Sequence, residues 1–269
     1  MTWTSMDQPA LISVAIVCLD AGKHLAQALE SVLAQNAEAC ELVVIDGGST
    51  DDTLEILRRY ETRSSGRMRW VSGPDAGLYD AMNKALTLVR GEYTVYLGAD
   101  DRLVDGALDV VRRVIVADPR HPDIICGATR VVSERGGDSW TEGPESVVRR
   151  QLPQKAPSRH QSIYVRTDAL RAVGGFRTRF SIAADYDLYL RLRASGLTEV
   201  LIDDVLSEFR LGGVSSRSGL ATAREYRDVR VAHGASPAIE QILMVKSALA
   251  AASFAAWRRL LVWGRAVAR

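Results

Sequence analysis

The sequence predicts an α/β protein with a Rossmann-like, mainly parallel central sheet flanked by helices. Three observations carry that expectation. Apolar runs of strand length alternate with helix-period stretches through the first half of the 269 residues. The strand runs are apolar on both faces, as in a sheet covered on both sides. Several of them end on acidic residues, at the edge where open α/β sheets bind ligands.

Ile12 to Leu19 is a nearly continuous apolar run with β-branched residues and reads as the first strand. His24 to Gln35 follows, with Leu25, Ala28, Leu29, Val32 and Leu33 at helical spacing. Leu42 to Ile45 is the second strand, ending at Asp46-Gly47-Gly48. Ser49 is a natural N-cap for a helix reaching about Tyr60, with the Asp52 carboxylate near its positive end. Met68 to Val71 is a third strand, Leu78 to Val89 a third helix, Tyr93 to Leu97 a fourth strand and Val104 to Ala117 a fourth helix. Helices of this length between strands imply crossover connections and a parallel sheet. After a break at Asp118-Pro119-Arg120-His121-Pro122 the pattern loosens, although both halves are expected to share one sheet. Asp123 to Ala128 and Arg130 to Ser133 read as two strands, then Arg135-Gly136-Gly137-Asp138 as a turn and Pro153 to Pro157 as loop. Thr167 to Val173 and Tyr186 to Ala194 have helical spacing, and Gly174-Gly175 ends the first.

Composition excludes some classes. A net charge of +1 gives nucleic-acid binding no electrostatic support. Cys18, Cys40 and Cys126 form no Cys-x-x-Cys pair, and their number is odd, so buried thiols in a reducing compartment are expected. Met1 to Ala10 lacks the basic start and apolar run of a signal peptide. The uncharged run Ser247 to Trp257 is too short to span a bilayer.

The chemistry is concentrated at Asp100-Asp101. Two adjacent carboxylates at the mouth of a buried strand repel, and a divalent cation, Mg²⁺ or Mn²⁺, removes that cost. The competing use is a solvated turn with Asp101 near the next helix cap. Asp20, Asp46 and Asp100-Asp101 all follow strand ends, which lines one edge with four carboxylates. Neither Gly-x-Gly-x-x-Gly after the first strand nor Gly-x-x-x-x-Gly-Lys-Ser/Thr is present, which argues against a dinucleotide dehydrogenase and a P-loop enzyme. A nucleoside diphosphate held through a cation on Asp101 is the economical reading that remains.

Ile12 to Leu33 with Gln35, then Val43-Val44-Ile45-Asp46-Gly47-Gly48-Ser49-Thr50-Asp51, resemble the opening of the family 2 glycosyltransferases, which have the GT-A fold. The run Ser72 to Ala85, Ser-Gly-Pro-Asp-Ala-Gly-Leu-Tyr-Asp-Ala-Met-Asn-Lys-Ala, is similar to the branch that builds bacterial exopolysaccharides, including colanic-acid-type enzymes. Gly98-Ala99-Asp100-Asp101 stands where that family has its Asp-x-Asp-like metal element. His160-Gln161, Gly174-Gly175-Phe176, Ala183-Ala184-Asp185-Tyr186-Asp187 and Gly212-Gly213-Val214-Ser215 match its acceptor side. The resemblance covers about Ile12 to Ser216.

It implies inverting transfer of a sugar from a nucleotide-sugar donor to a hydroxyl acceptor, a saccharide or a polyprenyl-linked saccharide. Carried over by position, Asp101 holds Mn²⁺ or Mg²⁺, and Asp100 lies by the ribose or the metal shell. Asp185 is the base, Asp46 and Asp75 line the nucleoside pocket with Asn83 and Lys84 near it, and His160 and Gln161 face the sugar or acceptor. On this basis 1–118 form a nucleotide-sugar-binding half, 119–216 an acceptor-binding and catalytic half, and 217–269 a helical tail. Three positions depart from the family: Asp20 for a frequent Asn, Gly47 for a second Asp, and Ala184 for an acidic residue. Structural roles compete: Asp46 as acceptor for its own turn, Asp51 and Asp52 as helix-end charges, Lys84 as a surface charge, and Asp187 as a surface residue or an ion-pair partner. A sugar-nucleotide nucleotidyltransferase would need a Gly-rich, Arg-containing loop, which Cys18 to Lys23 does not supply. A non-catalytic carbohydrate- or partner-binding protein would have no use for Asp100, Asp101 and Asp185 together.

From Ile239 onward the chain is basic and amphipathic, with Trp257, Trp263, Arg258, Arg259, Arg265 and Arg269. Such a segment, 239–269, docks in a membrane interface or packs on the core or on a second subunit of a homo-oligomer. The expected location is cytoplasmic, peripheral on the inner face of the cytoplasmic membrane.

Overall fold

The computed structural model of the chain describes residues 11–35, 40–118, 121–133, 138–144, 155–212 and 220–245. Its first half is the expected alternation. Strands β1 (Ile12–Cys18), β2 (Cys40–Asp46), β3 (Met68–Ser72) and β4 (Tyr93–Gly98) are all parallel, in the order β3-β2-β1-β4. Helices α1 (Leu25–Leu33), α2 (Thr53–Arg63) and α3 (Leu78–Leu88) connect them. The register β1–β2 and β1–β4 brings Cys18, Asp46 and Gly98 to the same sheet edge.

The second half extends this sheet. It comprises β5 (Arg102–Leu103), α4 (Ala107–Ala117), β6 (Ile124–Val132), β7 (Ser139–Glu142), β8 (Ile163–Arg166), α5 (Thr167–Ala172), α6 (Ala184–Ala194) and β9 (Glu199–Arg210). The order continues β4-β8-β6-β9-β5, with β7 beside the far half of β6. Strand β8 runs antiparallel to β4 and β6, whereas β9 runs parallel to β6. The sequence junction near 118 therefore lies within one continuous sheet.

Several elements differ from the sequence expectation. The helix expected at Ser49 starts at Thr53, because the Ser49 hydroxyl donates to Asp46 instead of capping. The helix expected at Val104 starts at Ala107, because Arg102–Leu103 pairs with β9. The two strands expected over 123–133 are one, β6, with a register irregularity around Ala128. Most of the turn at 135–138, and the Gly212 to Ser215 motif beyond Gly212, lie outside the described residues.

Apolar strand residues serve both faces. On one, Val14, Ile16, Leu42, Val44, Val95 and Leu97 pack with Leu25 and Leu29 of α1 and with Leu108 and Val111 of α4. All are essentially inaccessible to solvent, and each such side chain contributes roughly 1.5–3 kcal/mol. On the other face the Tyr96 ring meets Phe176 edge-on at 5.0 Å, and Phe176 stacks on Tyr79 at 5.4 Å. The three cysteines are free and buried, as expected.

The chain divides into two compact units, Met1–Gly213 and Val214–Arg269. In the second, α7 (Leu220–Ala232) is followed by a helix over 237–245, α8, and Arg230 donates to Glu240 across them at 2.6 Å. Ile239, Ile242 and Val245 are exposed on α8. No helix among the described residues is long and apolar enough to cross a membrane. The tail from 246 onward lies outside the described residues.

Candidate functional site

The end of β4 turns sharply, with Asp101 N–H donating to Gly98 O at 3.1 Å. The turn sends Asp101 inward, where it is 3 % exposed. Its Oδ2 accepts from Gln161 Nε2 at 2.7 Å and its Oδ1 from the Arg210 backbone N–H at 3.1 Å. Burial, and then the charge of Asp100, push the Asp101 carboxyl up to about 6. Asp100 Oδ1 and Asp101 Oδ2 lie 3.0 and 2.7 Å from the point that a β-carbon on Gly98 would occupy. The missing side chain lets the two carboxylates converge on one gap. Such a pair, costly to ionise without a cation, has the donor chemistry of a hard divalent ion. Among the described residues no third His, Cys, Asp or Glu joins it. That suits Mg²⁺ or Mn²⁺, Mg²⁺ in particular completing its shell with water and phosphate oxygens.

A 3-10 turn, His160–Ser162, links this pair to the predicted base. Gln161 is fully buried under Asp101, so its side chain does not face an acceptor as expected. Its Oε1 has no hydrogen-bond partner among the described residues. The adjacent His160 is partly exposed, with Nδ1 3.7 Å from Asp185 Oδ2. Asp185 lies in the first turn of α6, where the Tyr186 N–H donates to its Oδ1 at 2.8 Å. Its other oxygen is thereby turned toward His160. Of two consecutive residues, Gln161 thus bonds the strand-end carboxylate and His160 lies beside the helix-end carboxylate. Asp187 is fully buried instead, between Arg177 at 3.2 Å and Arg191 at 2.8 Å.

The remaining predicted residues divide by use. Asp46 does not line a pocket. It is fully buried and accepts from the Gly48 and Ser49 N–H groups at 3.1 Å each and from the Ser72 hydroxyl at 2.6 Å. It organises the loop instead of reaching a ligand. Asn83 is also consumed: Nδ2 donates to Phe176 O and Oδ1 accepts from Phe176 N–H, both at 2.8 Å, tying α3 to the Gly175-Phe176 segment. Lys84 bonds Pro74 O at 2.8 Å and pairs with Asp80 at 3.0 Å, bracing the loop that carries Asp75. Asp75 is partly exposed, and its Oδ2 lies 2.6 Å from where a β-carbon on Gly47 would stand. Gly47, the departure from the family, therefore makes room for a carboxylate from the neighbouring loop. Asp20 is exposed with φ 47°, a left-handed conformation that Asn and Asp share, and its Oδ1 accepts from Thr50 N–H at 2.8 Å. That common ability accounts for Asp standing where Asn is frequent.

Sequence reasoning missed Arg210. The alternation of β9 puts Glu208 and Arg210 on one face and Phe209 on the other, where the Arg159 guanidinium stacks 4.2 Å over its ring. Glu208 and Arg210 line a cleft of about 280 Å³ with Asp100, Arg102 and Arg130. Arg102 and Arg130 share Glu208, the latter at 2.8 Å. Burial alone would raise the Glu208 carboxyl, but hydrogen bonds from both arginines hold it below its ordinary value. No motif flags Arg210; only the β6–β9–β5 pairing brings it to Asp101.

With this geometry in hand, the fold and the strand-end carboxylates define a GT-A glycosyltransferase. The chain belongs to glycosyl transferase family 2, whose model matches residues 13–180. It is 29 % identical over 212 residues to a PGL/p-HBAD biosynthesis glycosyltransferase of Mycobacterium bovis, covering 77 % of this chain and 79 % of the relative. Its fold is shared with S. aureus TarS 1–349 in complex with UDP-GlcNAc, with a TM-score of 0.63 and 16 % identity, over 87 % of this chain and 70 % of the other. The mannosyltransferase PcManGT of Pyrobaculum calidifontis, in complex with GDP-Man and Mn²⁺, superposes with a TM-score of 0.62 at 21 % identity, over 97 % and 82 % of the two chains.

Proposed function

We propose that this glycosyltransferase moves a sugar, with inversion, from a nucleoside diphosphate sugar to a hydroxyl of a saccharide or polyprenyl-linked saccharide. The observation that carries the reading is the His160-Gln161 turn, which ties Asp185 to Asp101 through consecutive residues. Asp100 and Asp101 would hold Mn²⁺ or Mg²⁺, which would supply charge neutralisation to the leaving diphosphate. Asp75 and the loops held together by Asp20 and Asp46 receive the nucleoside.

The chain's own residues perform the transfer as follows. Asp185 Oδ2 accepts the proton of the acceptor hydroxyl as its oxygen bonds the anomeric carbon. The anomeric carbon–oxygen bond breaks on the opposite side, and its electron pair stays on the diphosphate. His160, beside Asp185, orients that carboxylate. Buried Gln161 holds Asp101 in its rotamer, so the two ends of the reaction keep a fixed spacing. A polyprenyl acceptor places the enzyme at the cytoplasmic face of the membrane, where α8 and the tail make peripheral contact.

Asp185→Asn tests the assignment. The amide keeps the shape and cannot take the proton, so turnover falls by ~10²–10⁴-fold while donor-nucleotide affinity is retained. Wild-type turnover in this variant would remove Asp185 from the mechanism. The anomeric configuration of the product, read by NMR against that of the donor, tests inversion separately.

A further inference from the structure

A metal site made by Asp100 and Asp101 would be short of positive charge. Two ionised carboxylates would cancel the charge of one divalent cation, so the assembly would be neutral. A nucleoside diphosphate sugar arrives as a dianion. Cleavage of its anomeric carbon–oxygen bond leaves the electron pair, and hence further negative charge, on the diphosphate. A neutral site stabilises that increase poorly, and a fixed cation from the chain is needed.

Five groups at this edge are basic besides Arg210, and one of them, His160, is set against Asp185 at 3.7 Å. Arg102 and Arg130 are spoken for by Glu208. Burial, and then the charges of Arg210 and Lys23, hold the His24 imidazole below its ordinary value, so its positive form is disfavoured there. Lys23 is exposed on the loop after β1, on a flexible stem. Arg210 differs from all of these. Its backbone N–H is fixed on Asp101 Oδ1 at 3.1 Å, and it lines the cleft that Asp100 also lines. Among the described residues its guanidinium has no carboxylate partner. A guanidinium presents a planar fork that matches two phosphate oxygens.

We infer that Arg210 binds the diphosphate of the donor and stabilises it as the leaving group, supplying the cation that the neutral metal assembly lacks. The inference rests on the nucleotide-sugar reading above. It makes Arg210 a catalytic residue at the junction of β9 with the strand-end carboxylates.

The test is calorimetric binding to the full chain in Mn²⁺, and again in chelator, with UDP and GDP as probes and uridine and guanosine as phosphate-free controls. Wild type, Arg210→Ala and Arg210→Lys are compared. The expected result is a diphosphate affinity about 10- to 100-fold weaker in Arg210→Ala, as for loss of a hydrogen bond to a charged group. Nucleoside affinity stays unchanged, and Arg210→Lys recovers part of the loss. The deficit persists in chelator, because the contact is direct. Wild-type diphosphate affinity in Arg210→Ala overturns the inference, as does an equal loss for diphosphate and nucleoside. Failure of the wild-type chain to bind either diphosphate overturns the donor reading itself, and this inference with it.

Discussion

Replacing Asp101 by Asn should make the metal-free protein more stable and the enzyme inactive. Asp101 is 3 % exposed, and its carboxyl is pushed up to about 6 by burial and by Asp100. In the unfolded chain it titrates near the ordinary ~3.9. Below pH ~4 the group is protonated in both states and contributes no difference. Between pH ~4 and 6 the unfolded chain releases its proton while the native state keeps it, so native stability falls as pH rises. Above pH 6 the full cost is present. At ~1.36 kcal/mol per tenfold it amounts to about 3 kcal/mol. Asn fits the same contacts: its Oδ1 accepts from Arg210 N–H, and its amide meets the unpartnered Gln161 Oε1 once the Gln161 amide turns over. In chelator at pH 7.5, Asp101→Asn should therefore melt higher by up to ~6–12 °C, at ~2–4 °C per kcal/mol. At pH 4 the gap should close. Mn²⁺ should raise the wild-type melting temperature and leave the variant unmoved. Thermal melts across pH, with and without Mn²⁺, measure all of this. A variant that melts at or below wild type at pH 7.5, or by the same margin at pH 4, would refute the electrostatic account of this site.

The other expectations concern the scaffold and the tail. Asp187→Ala should destabilise the protein by ~3–5 kcal/mol, because it strands the Arg191 guanidinium inside the fold. Urea unfolding reads this, and a loss under ~1 kcal/mol would mean that the pair is dispensable. The full chain should co-sediment with anionic vesicles at low salt, through α8 and the basic tail, at roughly 1 kcal/mol per nearby Arg or Lys. A chain ending at Ser236 should lose that partitioning, and equal partitioning of the two would reject membrane docking.

The fold's first half was legible because local signals and tertiary outcome agree there. Ile12 to Cys18 is apolar on both faces and is in fact covered on both. The helices between the strands carry the period that buries one side of each. Strands β8 and β9 were not legible. Ile163–Arg166 is too short for a pattern, and Glu199–Arg210 mixes Glu199, Asp203, Asp204 and Glu208 with apolar residues. Its pairing with β6 joins segments far apart in the chain, which no short window reports.

The same division runs through the site. The sequence by itself determined that carboxylates stand at strand ends, since the end of an apolar run and the identity of the next residues are both local facts. It also carried the family, because Gly98-Ala99-Asp100-Asp101, His160-Gln161 and Ala184-Asp185 keep their order. Which side chains reach the site was decided by tertiary structure. Asp46 read both as ligand-facing and as the acceptor for its own turn, and it is spent on the Gly48 and Ser49 N–H groups and the Ser72 hydroxyl. Asn83 read as ligand-facing, yet it is used up by the Phe176 backbone. Gln161 read as acceptor-facing and instead supports Asp101 from below. Arg210 carried no signal, and it stands beside Asp101 because β9 pairs with β5 and β6 at that register. The physical reason is common to Asn83, Gln161 and Arg210. A buried polar group must find its partner, and that partner is chosen by packing of elements distant in sequence, a choice that local pattern does not encode.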